Sequence, residues 1–306
     1  MRPRRAHAFA DWPSSRVFDA VASAVPGFQP VECRLLESGH ANTNYQVISG
    51  AGRSVLLRIF QRDLAAARRE PALHRLVRDL IPVPEVRFEG DGWSVYEWLE
   101  GELLDEHPEL AMAAAHSIGL TLARIGTVAF EAPGFLDVEL NVSAWEEACE
   151  AYIDYSLFLA DQDLVRERGG EELVERAKRY LESERGLLDP YRGSRVLVHS
   201  DYKPRNLLVR EGAVSGVLDW EFAHSGAPIL DVGILMRHID PYPPGFGEAF
   251  ANGFREGGGF LGDRWREAAA YVDLCSLLDF LNRAETHPEM IEWVISRLEM
   301  MLGVRG

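Results

Sequence analysis

Cysteine is scarce in this chain of 306 residues, and its three copies lie far apart, at Cys33, Cys149 and Cys275. No C-x-x-C pair occurs, so the sequence predicts neither a disulfide framework nor a cysteine-based zinc site. A reducing compartment fits this pattern best, and we expect a cytoplasmic protein.

Long apolar runs and excess positive charge are also lacking. No stretch approaches a membrane span, and the N-terminus lacks the apolar segment of a secretory signal. Lys and Arg total 32 against 48 Asp and Glu, a formal net charge of −16. This charge repels nucleic acids and anionic membranes and attracts cations. We therefore expect no nucleic-acid or membrane partner, whereas a cationic small molecule would be favoured; the oligomeric state is not indicated.

Hydrophobic residues make up 47% of the chain, enough for a globular core. In the first hundred residues, short apolar runs separated by polar or glycine-containing turns predict an antiparallel sheet. Its strands are expected at residues 31–37, 43–49, 54–60, 86–89 and 93–98. A short helix is expected after Ser14, and a main helix lies within 63–80, where leucines recur at roughly helical spacing, at Leu64, Leu73, Leu76 and Leu80.

The pattern becomes helical after Gly101. A stripe at spacings of four and three predicts one buried face of a long helix, formed by Ala111, Ala115, Ile118, Leu122 and Ile125. Short strands are expected only at 195–198, 206–210 and 214–218. The sequence therefore predicts an α+β fold with a small sheet-containing part (1–100) and a mainly helical part (101–306).

The strongest chemical signal is His199-Ser200-Asp201-Tyr202-Lys203-Pro204-Arg205-Asn206, which directly follows an apolar strand. It matches H-x-D-x-x-x-x-N, a pattern of phosphoryl-transfer enzymes. Such a reaction needs one group to orient the attacking hydroxyl and take its proton, and another to hold a metal. Asp201 suits the first task and Asn206 the second. The plain alternative is an ordinary polar loop.

A second acidic motif, Asp219-Trp220-Glu221, follows another apolar strand. Mg²⁺ prefers oxygen ligands and needs only one or two carboxylates from the protein, so Asp219 together with Asn206 would suffice. Glu221 is either a further metal ligand or a solvated loop acid or salt-bridge partner. Trp220 is expected in the core.

These paired motifs resemble those of the aminoglycoside phosphotransferase and choline kinase group, which includes homoserine kinases of the second type. The resemblance implies a bilobal protein-kinase-like fold, with an antiparallel-sheet N-lobe carrying one main helix and a mainly helical C-lobe. It implies Mg²⁺ and ATP or GTP as phosphate donor. Asp201 is then the catalytic base, Asn206 and Asp219 are metal ligands, and Asp231 supports the catalytic loop. His199 is expected to shape that loop by hydrogen bonding.

The same resemblance implies that three groups of residues in the first part bind the nucleotide, and the first of these groups is an ion pair. Arg58 takes the place of the lysine that protein kinases use toward the phosphates, and Glu70 is its expected ion-pair partner. The second group is a polar turn over the phosphates, with Ser38, Gly39, His40, Asn42 and Asn44. The third is the connection that holds the base, with Glu97, Trp98 and Leu99.

Only nine residues (222–230) separate Glu221 from Asp231, too few for the regulatory segment of a protein kinase. We therefore expect a small-molecule acceptor. Residues 142–163 carry six acids and no Lys or Arg, with aromatic residues interleaved. This composition suits an amine, amino alcohol or aminoglycoside, with candidate acceptor residues Glu146, Glu150, Asp154, Tyr155 and Asp279. The alternative, which the composition favours slightly, is a solvated helix face with its aromatics in the core.

Two further hypotheses stay open at this point. The chain could be a catalytically silent nucleotide- or metabolite-binding protein of the same fold. It could also be a metal-dependent hydrolase that uses His199, Asp201 and Asp219 as ligands, which would need no nucleotide.

Overall fold

A computed structural model describes residues 8–37 and 42–303. Its first part contains an antiparallel sheet, as predicted, and the strands of this sheet lie in the order β1-β2-β3-β5-β4. The elements are α1 (Ser14–Ala24), β1 (Pro30–Leu36), β2 (Thr43–Ser49), β3 (Ser54–Ile59), α2 (Ala66–Val77), β4 (Val86–Glu89) and β5 (Trp93–Glu97).

The two faces of this sheet have different partners. Helix α1 packs its buried residues Val17 and Val21 into a core with Val47 and Leu57. Successive side chains of a strand point to opposite faces, so Arg58, next to Leu57, lies on the other face. That face looks toward α2 and the rest of the molecule.

Helix α2 lies where the sequence predicts a helix, but its buried face differs from the leucine pattern. Only Leu73 of the four leucines is buried, whereas Leu64, Leu76 and Leu80 are exposed. The face turned inward includes two polar side chains one turn apart, Glu70 and His74. Apolar periodicity misses such a face because polar groups with buried partners occupy part of it.

The second part is mainly helical, also as predicted, and the stripe along its first long helix is buried. Its helices are α3 (Ala111–Ile125), α4 (Ala148–Ala160), α5 (Asp163–Gly169), α6 (Glu171–Ser183), α7 (Ile229–Met236), α8 (Phe246–Glu256), α9 (Trp265–Asn282) and α10 (Pro288–Met301). Within the described part of the chain, we find no helix with the length and apolar character required to span a bilayer.

Two small sheets interrupt these helices. Their strands are β6 (Glu102–Leu103), β7 (Gly134–Leu136), β8 (Val142–Ala144), β9 (Val196–Val198), β10 (Leu207–Arg210), β11 (Ala213–Val217) and β12 (His224–Gly226). One sheet has the order β11-β10-β6 and the other β8-β7-β12-β9. The sequence predicts β9, β10 and β11 but not the very short β6, β7, β8 and β12.

The connection between the two parts passes closely over β10 and β11 at Gly101. A Cβ atom there would lie 2.3 Å from Ser215 Oγ, and the residue has φ +147°. Glycine is therefore required at this position. A second junction is the hydrogen bond from Val217 N to Pro82 O, 2.9 Å long.

Candidate active site

Asp231 fixes the backbone of the loop between β9 and β10. Its Oδ2 accepts the N–H of His199 and its Oδ1 accepts the N–H of Ser200, both at 2.7 Å. Ser200 has φ +63°, an unfavourable conformation for a non-glycine residue. Burial raises the pKa of Asp231 to about 7, although these backbone donors favour its ionised form. The Asp231 carboxyl group, on α7, thus holds the loop with Ser200 in a strained backbone conformation.

His199 connects this loop to the segment that carries Asp219. Its Nδ1 accepts the N–H of Asp201 at 3.2 Å, so Nε2 carries the proton and donates it to Leu218 O at 3.0 Å. Burial lowers the pKa of His199 to about 4, which keeps the ring neutral. The two acidic motifs are therefore held together by one uncharged imidazole.

The carboxylate of Asp201 is bonded on both oxygens. Asn206 Nδ2 donates to Oδ2 at 2.8 Å, and Lys203 Nζ lies 2.7 Å from Oδ1. The Asp201 side chain keeps 15% of its surface exposed, so a ligand can reach it. Sequence reasoning did not single out Lys203. The signal that could have found Lys203 is a cation two residues after Asp201 in the same motif.

Asp219 lies at the end of an ion-pair chain that reaches it from β3. Arg58 Nη2 is 2.6 Å from Asp219 Oδ1 and 3.2 Å from Glu70 Oε2. The structure thus contains the expected Arg58–Glu70 pair and adds a contact with Asp219. Burial opposes ionisation of Asp219, but the neighbouring Arg58 outweighs burial and holds the pKa of Asp219 below its usual value. Asp219 also has φ +67°, a second strained position in the site.

The residues expected to bind a metal fit Mg²⁺ in their chemistry. Because the Asn206 amide nitrogen faces Asp201, its carbonyl oxygen remains for a cation, and Asp219 adds a carboxylate. Glu221 is buried and pairs with Arg62 at 3.2 Å. Burial and the charge of Asp219 raise the pKa of Glu221 to about 7. Among the residues described, no group of three or more His, Cys, Asp and Glu is placed to hold a metal.

The expected nucleotide residues are partly described. Ser38, Gly39 and His40 lie outside the described residues. Asn42 Oδ1 accepts the N–H of Gln61 at 3.1 Å. Asn44 is paired with Arg58 across β2 and β3, and its buried Oδ1 has no hydrogen-bond partner among the residues described.

The connection after β5 forms part of an apolar surface. Leu99 and Leu208 both lie over Gly216, where a Cβ would come within 2.8 and 3.0 Å of their side chains. Leu208, on β10, was missed by sequence reasoning, since only the fold brings it to Leu99. Before them, the backbone N–H of Glu97 donates to Glu85 O, one residue before β4. Trp98 is half-buried.

The candidate acceptor residues separate into three groups. Tyr155 donates its hydroxyl to Asp279 Oδ1 at 3.0 Å, so these two are brought together. Glu150 forms ion pairs with arginines of the segment before β9, Arg185 and Arg192. Glu146 and Asp154 are exposed. The predicted acidic surface is thus partly neutralised by basic neighbours.

The aromatic residues of α4 also divide. Tyr152 is buried, and its hydroxyl lies 2.9 Å from His224 Nε2. Tyr155 and Phe158 are exposed and stack on each other with centroids 6.4 Å apart. One face of the helix therefore carries aromatic residues in the core, and the other exposes aromatic residues together with acids.

Comparison with known proteins places the chain in a recognised group. Residues 32–271 match the family model described as "Phosphotransferase enzyme family". No curated protein is a significant match in sequence.

Solved structures with the same overall fold include macrolide 2'-phosphotransferase MphH from Brachybacterium faecium, with a TM-score of 0.67, 19% identity, and coverage of 94% of this chain and 98% of that one. Aminoglycoside phosphotransferase APH(4)-Ia gives a TM-score of 0.69 at 16% identity, with 96% and 100% covered. ADP-bound APH(2'')-Ib gives 0.65 at 17% identity, with 94% and 99% covered. At these low sequence identities, the structural similarity shows a shared fold alone.

Proposed function

The chain belongs to the phosphotransferase enzyme family and is a small-molecule kinase, and we propose that it transfers the γ-phosphate of ATP or GTP to a hydroxyl group with the help of Mg²⁺. The observation that carries this proposal is the joining of Asp201 and Asp219 through His199. Both carboxylates belong to one site, with Arg58 reaching it from the sheet of the first part.

Asp201 is proposed as the catalytic base. The acceptor hydroxyl would donate its hydrogen bond to the Asp201 carboxylate, which takes the proton as the new O–P bond forms. The bond between the γ-phosphorus and the bridging oxygen breaks, and its electrons remain on the nucleoside diphosphate. Asn206 and Lys203 hold the carboxylate in place, and the Lys203 ammonium offers positive charge near the transferred group.

The metal and the nucleotide phosphates are proposed to bind next to Asp201, between Asn206, Asp219 and Arg58. Asn206 and Asp219 would hold Mg²⁺, with Glu221 as a further ligand, and the ion would neutralise phosphate charge. Arg58 would exchange its contact with Asp219 for phosphate oxygens, while Glu70 keeps it oriented. Leu99 and Leu208 offer an apolar surface for the base. Support for a nucleotide donor comes from the solved complexes of APH(4)-Ia with ADP or AMP-PNP and hygromycin B.

A cationic or polyhydroxylated acceptor is the class that we propose. Support comes from the exposed acids Glu146 and Asp154 and from the exposed aromatic pair Tyr155 and Phe158. Such a surface can bind an amine through charge and a ring face. Solved structures of the same fold are named for macrolides and aminoglycosides, which are large hydroxylated molecules.

The proposal is tested by measuring ADP or GDP release against a panel of amines, amino alcohols, sugars, aminoglycosides and macrolides. We expect release that requires Mg²⁺, a nucleoside triphosphate and one class of acceptor together. Nucleotide binding without release for any acceptor would favour a silent binding protein. Hydrolysis of a substrate with a transition metal and no nucleotide would contradict the kinase proposal.

A further inference from the structure

The segment of residues 8–12, which we call the N-terminal strap, precedes α1 and lies against the start of β2. The backbone N–H of Ala10 donates to Thr43 Oγ1 at 2.8 Å, and Ala8 O accepts a hydrogen bond from Gln61 Nε2 at 2.9 Å. Thr43 Oγ1 donates in turn to Gln61 Oε1 at 2.6 Å. Three hydrogen bonds thus join the strap, the start of β2 and the segment that follows β3.

Ring contacts hold the strap at its other end. Trp12 packs edge-on against Trp93 of β5, with ring centroids 6.1 Å apart. The Arg16 guanidinium, on α1, lies 3.9 Å from the centre of the Trp12 ring, within the range of a cation–π interaction. The Tyr45 hydroxyl lies 3.4 Å from Trp12 O. Contacts at both ends therefore fix the strap on the sheet.

The strap contacts the face of β2 that points away from the proposed nucleotide site. Thr43 is fully buried on the same face as Tyr45, which packs under α1. Asn44 lies on the other face, opposite Arg58 of β3. The buried Oδ1 of Asn44 has no hydrogen-bond partner among the residues described, so the backbone of β2 determines where this oxygen lies. The contacts of Thr43 therefore act on Asn44 from behind the strand.

Gln61 extends the same network to Asn42. Its backbone N–H donates to Asn42 Oδ1 at 3.1 Å, while its side chain forms the bonds to the strap and to Thr43. Asn42 belongs to the group of residues expected over the phosphates, and it directly precedes β2. The two neighbours Asn42 and Thr43 are therefore both held by Gln61.

We propose that Thr43 and Gln61 are positioning residues, which use the N-terminal strap to hold Asn42 and Asn44 in place for the nucleotide phosphates. This inference rests on the proposed function, because that function supplies the nucleotide. A binding segment that is already ordered loses less conformational entropy when its ligand binds. Thr43 lies on the face away from the nucleotide, so it acts only through β2. We therefore expect the strap to change nucleotide affinity.

Two substitutions at Thr43 separate the hydroxyl group from the shape of the side chain. Thr43→Val keeps the branched shape and loses both hydrogen bonds, whereas Thr43→Ser keeps the hydroxyl. In calorimetry with Mg²⁺ and AMP-PNP, we expect about 3- to 10-fold weaker binding for Thr43→Val and a change below about twofold for Thr43→Ser. Gln61→Leu should behave as Thr43→Val does.

The matched control is Ser49→Ala at the other end of β2. Ser49 is also buried, and its hydroxyl accepts the N–H of Arg53 at 3.0 Å and donates to Arg53 O at 3.1 Å. Ser49→Ala should therefore lower the melting temperature, as Thr43→Val does, but leave the affinity for AMP-PNP unchanged. Hydrogen exchange of the amides of residues 42–47 should be faster in Thr43→Val than in Thr43→Ser.

Trp12→Ala tests whether the effect passes through the strap. It should weaken AMP-PNP binding as Thr43→Val does, and the double variant should bind no more weakly than the weaker single variant, because both changes remove the same contact. Equal affinities of wild type and Thr43→Val, an equal loss in Ser49→Ala, or additive losses in the double variant would overturn this inference alone. A wild type without affinity for Mg²⁺ and AMP-PNP would overturn the proposed function and this inference with it.

Discussion

Removing Arg58 should destabilise the protein strongly, because this guanidinium is the cation shared by two carboxylates in a nearly dry environment. Its side chain is 9% exposed and that of Glu70 is 2% exposed. Breaking a buried ion pair from one side leaves an uncompensated charge and costs about 3–5 kcal/mol. We therefore expect Arg58→Met to lower the free energy of unfolding by about that amount.

A double-mutant cycle isolates the pair. In Arg58→Met with Glu70→Gln, the buried carboxylate is removed as well, so much of the loss should be recovered and the coupling energy should reach about 2 kcal/mol. The matched control is the pair Arg68 and Glu139, whose side chains are 69% and 59% exposed. Its coupling should stay below about 1 kcal/mol.

Urea denaturation of the four proteins in each cycle gives both coupling energies. A buried pair coupled no more strongly than the exposed pair would refute the reasoning, because it would mean that the Arg58 guanidinium is hydrated or held elsewhere. The same variants also report on the nucleotide. Arg58→Met should weaken the binding of Mg²⁺ with AMP-PNP, whereas Arg68→Met should not.

Three further changes test other parts of the site. Asp219→Ala should weaken nucleotide binding about 10- to 100-fold in calorimetry with Mg²⁺ and much less without it; equal affinities with Mg²⁺ would contradict its role as a ligand. Asp231→Asn places an amide N–H₂ group against a backbone N–H donor, so it should cost about 1–3 kcal/mol in urea denaturation and reduce kcat; Asp79→Asn, whose side chain is 90% exposed, should do neither. Burial lowers the pKa of His224 to about 4 from the 6.5 of a free histidine, so the unfolded chain binds more protons between these values, and stability is lost as pH falls through them. Between pH 7 and pH 5, wild type should lose about 2 kcal/mol relative to His224→Phe, and parallel pH curves for the two proteins would contradict that shift.

The sequence predicted those helices and strands whose hydrogen bonds and apolar pattern arise within one short segment or between neighbouring segments. The hairpins of the first sheet follow from alternating strands and glycine turns, and β2 begins and ends where the pattern does. The buried stripe of α3 follows from its spacing. By contrast, β7, β8 and β12 have three residues each, too few for a periodic signal, and β12 joins the β7–β8 hairpin from a distant segment.

The site was predictable in its motifs and not in its contacts. The positions of Asp201, Asn206 and Asp219 in two loops follow from the sequence pattern, and so does the pairing of Arg58 with Glu70. The contact of Arg58 with Asp219 joins residues 161 positions apart and depends on how the two parts meet. The inward face of α2 does not follow from the leucine spacing for the same reason, since His74 is buried against Tyr96 and Trp220 from distant segments.

The acidic segment around α4 shows a further limit. Composition predicted an acidic surface, but charge compensation depends on neighbours from other segments. Glu150 is paired with two arginines that follow it by more than thirty residues. The net charge of this surface is therefore smaller than the count of acids indicates.

The most direct test of the central claim is a single-turnover measurement of phosphate transfer by wild type and Asp201→Ala, with nucleotide affinity measured on the same samples. We predict that Asp201→Ala lowers the transfer rate about 10²- to 10⁴-fold while the affinity for Mg²⁺ and AMP-PNP changes less than about threefold. An unchanged transfer rate, or a loss of nucleotide affinity as large as the loss of rate, would contradict the account.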